Sequence, residues 1–460
     1  MRLLQILIFT CWVHLLMAND TFIVNSIDVE GNKITKTSTI LRELSFGIGD
    51  TLTLTEFNKK VQQSKLHISS QWLFNFIHFE TTYNDNHINV LIKVVERWYI
   101  WPYPILEISE RNFNVFWDSL RLSNFTDFSR LNYGVFLNWY NFRGNNELLK
   151  LKFRKGYKEH YLFEYDIPYL NKSKTIGSIF LFEWFRMKQF HYNTINNKLL
   201  YTELEDDHLN SWNASICLQY KKNLNTTHRF IVQQSGVDCP PQVILLNETF
   251  LPFKSSFFQY SKLEYHYENE KRNSISYPTK GSFNEVLLSY YKGYDNDFQN
   301  ASLVAKSEHH FTIKPRIYFG NSIKVKWQTN NQLPYILNES LGFEDYLRGY
   351  EYYVLDGEHF GISKTAIKYA LIPKTKLQLP YFKMEQFKKA FYSLYFSIFA
   401  DVGMVANNQF KHTNDLNNTL LSSQGCSLDF VTYYDKLIRL EYARNHLNEW
   451  GIYIHFSNPF

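Results

Sequence analysis

Along most of this chain, apolar and polar residues alternate one by one. Leu149, Leu151 and Phe153 alternate with Lys150, Lys152 and Arg154. Ile323, Val325 and Trp327 alternate with Lys324, Lys326 and Gln328, and Ile438, Leu440 and Tyr442 with Leu437, Arg439 and Glu441. A period of two is that of a strand with one apolar and one charged face. The pattern recurs from Trp98 to Phe460, and Asn/Asp/Ser-rich stretches at 193–213, 292–302 and 407–425 read as loops between strands. Past the first twenty residues no segment offers about 18 apolar residues in a row, which excludes a bundle of transmembrane helices. An apolar face and a charged face suit a β-barrel wall with lipid outside and water inside. A soluble β-sandwich or β-helix would use the same alternation. Aromatic clusters near segment ends (EWF, SYY, DYL, TYY) look like interfacial girdles and favour the membrane barrel.

Residues 20–97 follow a different rhythm. FIVNSIDVEGN reads as a strand ending in a Gly-Asn turn. KTSTILRELSF reads as a short amphipathic helix with Ile40, Leu41 and Leu44 on one side. GIGDTLT reads as a turn and helix start. In the next stretch Leu54, Phe57, Val61 and Leu66 recur at helical spacing. FNFIHFETTYNDN and HINVLIKVVERW read as two strands joined by an Asn-Asp-Asn turn. The order is β-α-α-β-β.

Composition agrees. The chain is 45% hydrophobic and 18% aromatic, with 33 Tyr and 39 Phe but 5 Met, a bias toward strands. A net charge of +5 and dispersed Lys and Arg give no case for nucleic acid. MRLLQILIFTCWVHLLMAND has the form of a secretory signal peptide, residues 1–18, cleaved after Ala18. Of the cysteines then left, Cys217 and Cys239 are near enough in sequence to pair in an oxidising compartment, and whether they do stays open. No GxSxG, HExxH or Ser/His/Asp order suggests an enzyme. No His/Cys spacing suggests a metal, and His455 stands alone.

The chain ends EWGIYIHFSNPF, with Trp450, Ile452, Ile454, Phe456 and Phe460 on one parity, as in a final barrel strand. LRGYEYYVLDG, residues 347–357, sets an arginine and a glycine at the head of an aromatic run. It resembles the Arg-Gly-Phe/Tyr motif of the BamA/TamA-like outer-membrane assembly and translocation superfamily. VVERWYIWPYPILEISERNFN, RLNYGVFLNWYNFRGNNELLKL, IFADVGMV and LIRLEYARNHLNEWGIYIHF resemble further pieces of that family, in the expected order. The front domain resembles a POTRA domain, and the whole looks closest to single-POTRA forms from Bacteroidetes-type bacteria.

The resemblance implies a POTRA domain (20–97) in the periplasm and a 16-stranded antiparallel transmembrane β-barrel (98–460) in the bacterial outer membrane. It also implies that Leu347, Arg348, Gly349 and Tyr350 lie on a loop folded into the lumen. Arg348 would pair with an inner-wall carboxylate, Asp401 first and Glu441 second. Relatives often carry a glutamate just after this loop, where this chain has Lys368. Pro102 and Pro104 remove two backbone donors from one edge of the first barrel strand, unless both lie in the linker before it. With Gly451, Phe456 and Phe460 of the last strand they would make a weak seam. The function implied is assembly or translocation of unfolded outer-membrane or secreted clients in the lipid bilayer. The partner could include a periplasmic TamB-like or accessory protein, and neither cofactor nor metal is called for. The alternative is a channel or porin for solutes.

Overall fold

A computed structural model describes residues 21–457 except 72, 110–111, 127, 129, 172, 204–207, 224, 295–296, 331, 379–388, 409–412 and 433–435. The signal peptide and Phe460 lie outside the described residues.

The front domain comprises β1 (Thr21–Glu30), α1 (Thr37–Leu41), β2 (Thr51–Thr53), α2 (Leu54–Ser70), β3 (Phe74–Asn84) and β4 (His87–Glu96). The order matches the β-α-α-β-β reading with one addition. GDTLT is not only a turn: Thr51–Thr53 pairs antiparallel with Thr21–Ile23. Three residues are too few to show a period of two. The sheet runs β2-β1-β4-β3, with β1 and β4 parallel. Helix α2 starts with a capping box, in which the Thr53 side chain accepts from Glu56 N–H and Glu56 answers the Thr53 N–H. Phe57 and Ile68 from α2 and Ile40 from α1 bury against Val24, Ile88, Val90 and Ile92. Among the described residues β3 has one long edge without a neighbour in this sheet.

The compact unit around this domain also takes in residues 137–150 and 165–168. Within it, the turn Asn141–Glu147 rests on α1. The Gly144 carbonyl accepts from Lys36 N–H (2.9 Å) and Thr39 Oγ1 (2.8 Å). Gly144 has φ +80°, and a Cβ there would lie 2.3 Å from the Ile34 carbonyl oxygen, so only glycine fits. The Asn141 side chain donates to Thr35 Oγ1 (2.8 Å), and Glu147 takes a two-pronged contact from Arg143 (2.8 and 2.9 Å).

The rest of the chain carries β5 (Ile100–Ile108), α3 (Phe113–Leu122), β6 (Leu131–Tyr140), β7 (Leu148–Gly156), β8 (Lys158–Ile167) and β9 (Ile176–Met187). Next come β10 (Gln189–Ile195), β11 (Lys198–Glu203), β12 (Leu209–Asn223), β13 (Thr226–Asp238), α4 (Pro241–Leu246), β14 (Phe257–Glu270) and β15 (Gly281–Gly293). Then follow β16 (Gln299–Lys314), β17 (Ile317–Gln328), β18 (Glu339–Leu341), β19 (Leu355–Asp356) and β20 (His359–Gln378). The last are β21 (Lys389–Ala406), β22 (Leu421–Val431), β23 (Leu437–Asn445) and β24 (Trp450–Ser457). β10 with β11 and β18 with β19 form loop hairpins, and the other sixteen strands make one sheet in chain order from β5 to β24. Neighbouring strands of this sheet pair antiparallel, as hairpins between chain neighbours require.

The exposure pattern is inverted relative to a soluble protein. Ile323, Val325 and Trp327 are exposed, while Asp401, Asp429 and Glu441 are at most 1% exposed. In β21 Ile398, Val402 and Met404 point outward on either side of buried Asp401. A sandwich would bury the aliphatic face, whereas a lipid-facing wall exposes it. Among the described residues no helix is long and apolar enough to cross a membrane. Cys217 and Cys239 are both buried and no disulfide joins them.

Candidate functional site

The segment between β17 and β20 turns back against the buried faces of the closing strands. Leu347, Tyr350 and Leu355 pack with Phe360, Ile362, Val405, Leu416 and Leu421. This cluster fixes the backbone from which Arg348 projects. Arg348 reaches Asp401 with both prongs of its fork: Nε donates to Oδ2 at 2.7 Å and Nη2 to Oδ1. Its guanidinium carbon also sits 3.8 Å from the centre of the Phe399 ring. A planar cation clamped by a carboxylate and an aromatic face is held in one orientation. Gly349 takes φ +84°, and its carbonyl accepts from Asn445 Nδ2 at 3.1 Å. The Tyr350 hydroxyl donates to the Ser422 carbonyl at 3.0 Å and pairs with His446 Nδ1.

Glu441, the second candidate, does not reach Arg348. One of its oxygens lies 3.2 Å from His455 Nε2 and the other 3.6 Å from Arg439. Lys368 turns away too. It donates to the Pro278 carbonyl at 3.1 Å and sits 4.2 Å over the Tyr277 ring. Tyr277 donates in turn to Asp429 (2.7 Å), which also accepts from Arg439 Nε (2.8 Å). Lys368 therefore serves a second network, built on the turn between β14 and β15.

His455 does not stand alone. It stacks on Tyr346 at 5.3 Å and its Nδ1 is 3.3 Å from the Tyr346 hydroxyl, while Nε2 faces Glu351 and Glu441. Sequence reading missed this group because its members are spread over the motif loop, β23 and β24. It also missed α3, although Phe113, Phe116, Trp117 and Leu120 in FNVFWDSLRL have helical spacing.

Strands β5 and β24 end the sheet order, and among the described residues neither pairs with the other. Pro102 and Pro104 lie inside β5, not before it. Two backbone bonds bracket the β5–β6 pairing: Tyr140 N–H to Tyr99 O and Ser109 N–H to Arg130 O, each 2.8 Å. Both fit one register. Odd-numbered β5 residues bond toward β6, and even-numbered ones, both prolines included, face the opposite edge. At the free edge of β24 the Asn114 side chain of α3 bonds both backbone groups of Ile454. Oδ1 accepts from its N–H (2.8 Å) and Nδ2 donates to its carbonyl (3.2 Å). Phe113 meets Phe456 edge to face at 5.3 Å. Gly451 pairs with Ala443, and a Cβ there would strike the Tyr453 ring.

Residues 141–459 match the Omp85 superfamily domain, and residues 22–97 match the surface antigen variable number repeat, a POTRA domain. No curated protein gives a match. Among solved structures the chain is similar to BamA from Haemophilus ducreyi lacking POTRA domains 1–3. That likeness has 14% identity and a TM-score of 0.64, and it covers 95% of this chain and 85% of that one. It is also similar to CdiB from Acinetobacter baumannii, at 12% identity and a TM-score of 0.52, over 95% of this chain and 73% of that one. For CdiB from Escherichia coli the values are 10% and 0.55, over 95% of this chain and 75% of that one. At such identities these three likenesses are of fold.

Proposed function

The chain belongs to the Omp85 superfamily, and from that premise we propose how it handles its clients. With its POTRA domain it is an outer-membrane assembly factor of the BamA/TamA-like kind, and non-catalytic as that family is. Residence in the outer membrane with the POTRA domain on the periplasmic side agrees with that membership.

Our reading is that an unfolded client adds to the open edge of β3 and passes to a seam between β5 and β24, where it leaves sideways into lipid. An unpaired strand edge accepts another chain through its backbone groups, whatever the client's sequence. Burial of client strands in the bilayer supplies the driving force. The observation that carries the seam is the end of the sheet order. Among the described residues β5 and β24 have one neighbour each, and the outer edge of β5 lacks two donors at Pro102 and Pro104. The Arg348–Asp401 clamp braces the loop beside it. The same buried loop argues against an open solute channel. The β3 edge offers the same strand addition to a periplasmic TamB-like partner.

Depletion of the protein, with the outer-membrane proteome measured against total protein, tests this. Selective loss of other barrels or surface proteins is expected and names the clients. An unchanged proteome would favour a solute channel instead.

A further inference from the structure

We propose that Glu351, Glu441 and His455 form a site for a divalent transition-metal ion of the zinc or manganese class. The three come from separate elements: Glu351 follows the Arg348 motif, Glu441 lies on β23 and His455 on β24. His455 Nε2 is 3.3 Å from Glu351 Oε1 and 3.2 Å from Glu441 Oε2, and one ligand atom from each residue lies within 4.8 Å of the others. Ligands that share one metal at about 2.0–2.2 Å in tetrahedral array sit about 3.3 Å apart, so the imidazole already stands at ligand spacing from each carboxylate.

The independent sign is what the carboxylates lack. Glu351 and Glu441 are 1% and 0% exposed, and none of their four oxygens accepts a hydrogen bond. Their cationic contacts are His455 and, for Glu441, Arg439 at 3.6 Å. A proton on Nε2 supplies one N–H, which satisfies one oxygen and leaves the second buried carboxylate bare. A divalent ion bonds all three groups at once. The ring is already oriented for it: with the Nδ1 proton turned to the Tyr346 hydroxyl, the Nε2 lone pair faces the carboxylates, as in histidines that bind metals through one nitrogen and are steadied through the other.

The donor set narrows the ion. Two carboxylates and one imidazole suit zinc, manganese or ferrous iron, whereas Ca2+ wants six or more oxygens and Cu(I) wants sulfur. A cavity of about 650 Å3 lined by Glu107, Asn112, Phe113 and Phe456 reaches Glu351 and His455, and gives an entry path and room for a water ligand. A bound ion would tie the motif loop to the last two strands. That consequence rests on the seam reading, but the site does not.

The test uses the untagged full-length protein in detergent, stripped with a chelator and dialysed against Zn2+ or, separately, Mn2+, with metal counted by mass spectrometry. About one equivalent is expected in the wild type. Affinity should fall by at least about tenfold in His455→Ala and in Glu351→Gln, the second of which keeps shape and lies off the strands. Heat-modifiable migration on gels checks that each variant is folded. In the Co2+ form, Glu351→Gln should shift the visible spectrum. A folded wild type that takes up neither ion would overturn the site in favour of a protonated His455, as would folded variants that bind like the wild type. Neither result bears on client assembly, which the proteome experiment reads separately.

Discussion

Arg348 shows how little a residue's type says until its partners are known. Its side chain is 8% exposed and that of Asp401 0%, so each depends on the other for charge neutralisation. Removing one member strands a buried charge. Arg348→Ala or Asp401→Asn should therefore destabilise the folded protein by about 3–5 kcal/mol, read as an earlier loss of heat-modifiable migration. Arg348→Lys should rescue only part of this, because an ammonium has neither the fork nor the flat face that meets Phe399. Nearby Asp356 carries the opposite sign of effect. Burial pushes its carboxyl up to about 6. The folded state then holds a proton that the unfolded state has already lost, so its contribution to stability is full near pH 4 and declines as pH rises through 6. Melting followed by tryptophan fluorescence across that window should show the decline, and Asp356→Asn should flatten it.

Among elements, α3 adds most to what the strand pattern foretold. Asn112 caps it by accepting from Val115 N–H (3.0 Å), which sets the next residues in reach of β24. Asn114 then presents a carboxamide that copies a peptide group, and Ile454 is bonded as it would be by a neighbouring strand. Asn114→Ala should leave the Ile454 N–H and carbonyl without these partners. The expected result is more crosslinking between a cysteine placed near Ile454 and an added β-strand peptide, and unchanged capture would count against α3 as a guard of that edge. Pro102→Thr with Pro104→Thr should act in the other direction. Two restored donors would let β5 pair along its outer edge, and client insertion into proteoliposomes should slow. In the front domain, Thr53→Ala removes the α2 cap and should lower stability by about 1 kcal/mol in denaturant melts.

At the scale of the molecule, the wall was legible because membrane strands repeat a local rule, apolar out and polar in, that any few residues display. The front domain was legible for the same reason, from helical and strand periods and from glycine turns. The three-residue β2 was not, since it has no period to read, and α3 was missed because its lone helical period lies in a region read throughout for a period of two. Asp401 lay on a wall strand and could be matched to Arg348 by motif. By contrast, nothing in the sequence turned Glu441 toward His455, or Lys368 toward Tyr277 and Pro278. Those outcomes depend on which side chains an infolded loop and a turned-in hairpin bring within a few ångströms, across 90 residues in the case of Lys368 and Pro278. The sequence by itself determined strand period, domain order and the residues able to carry charge into the interior, because these follow from local sterics and hydropathy. Only the tertiary structure decided which charges meet, because pairing is settled by long-range packing and by the demand that every buried ion find a counter-charge.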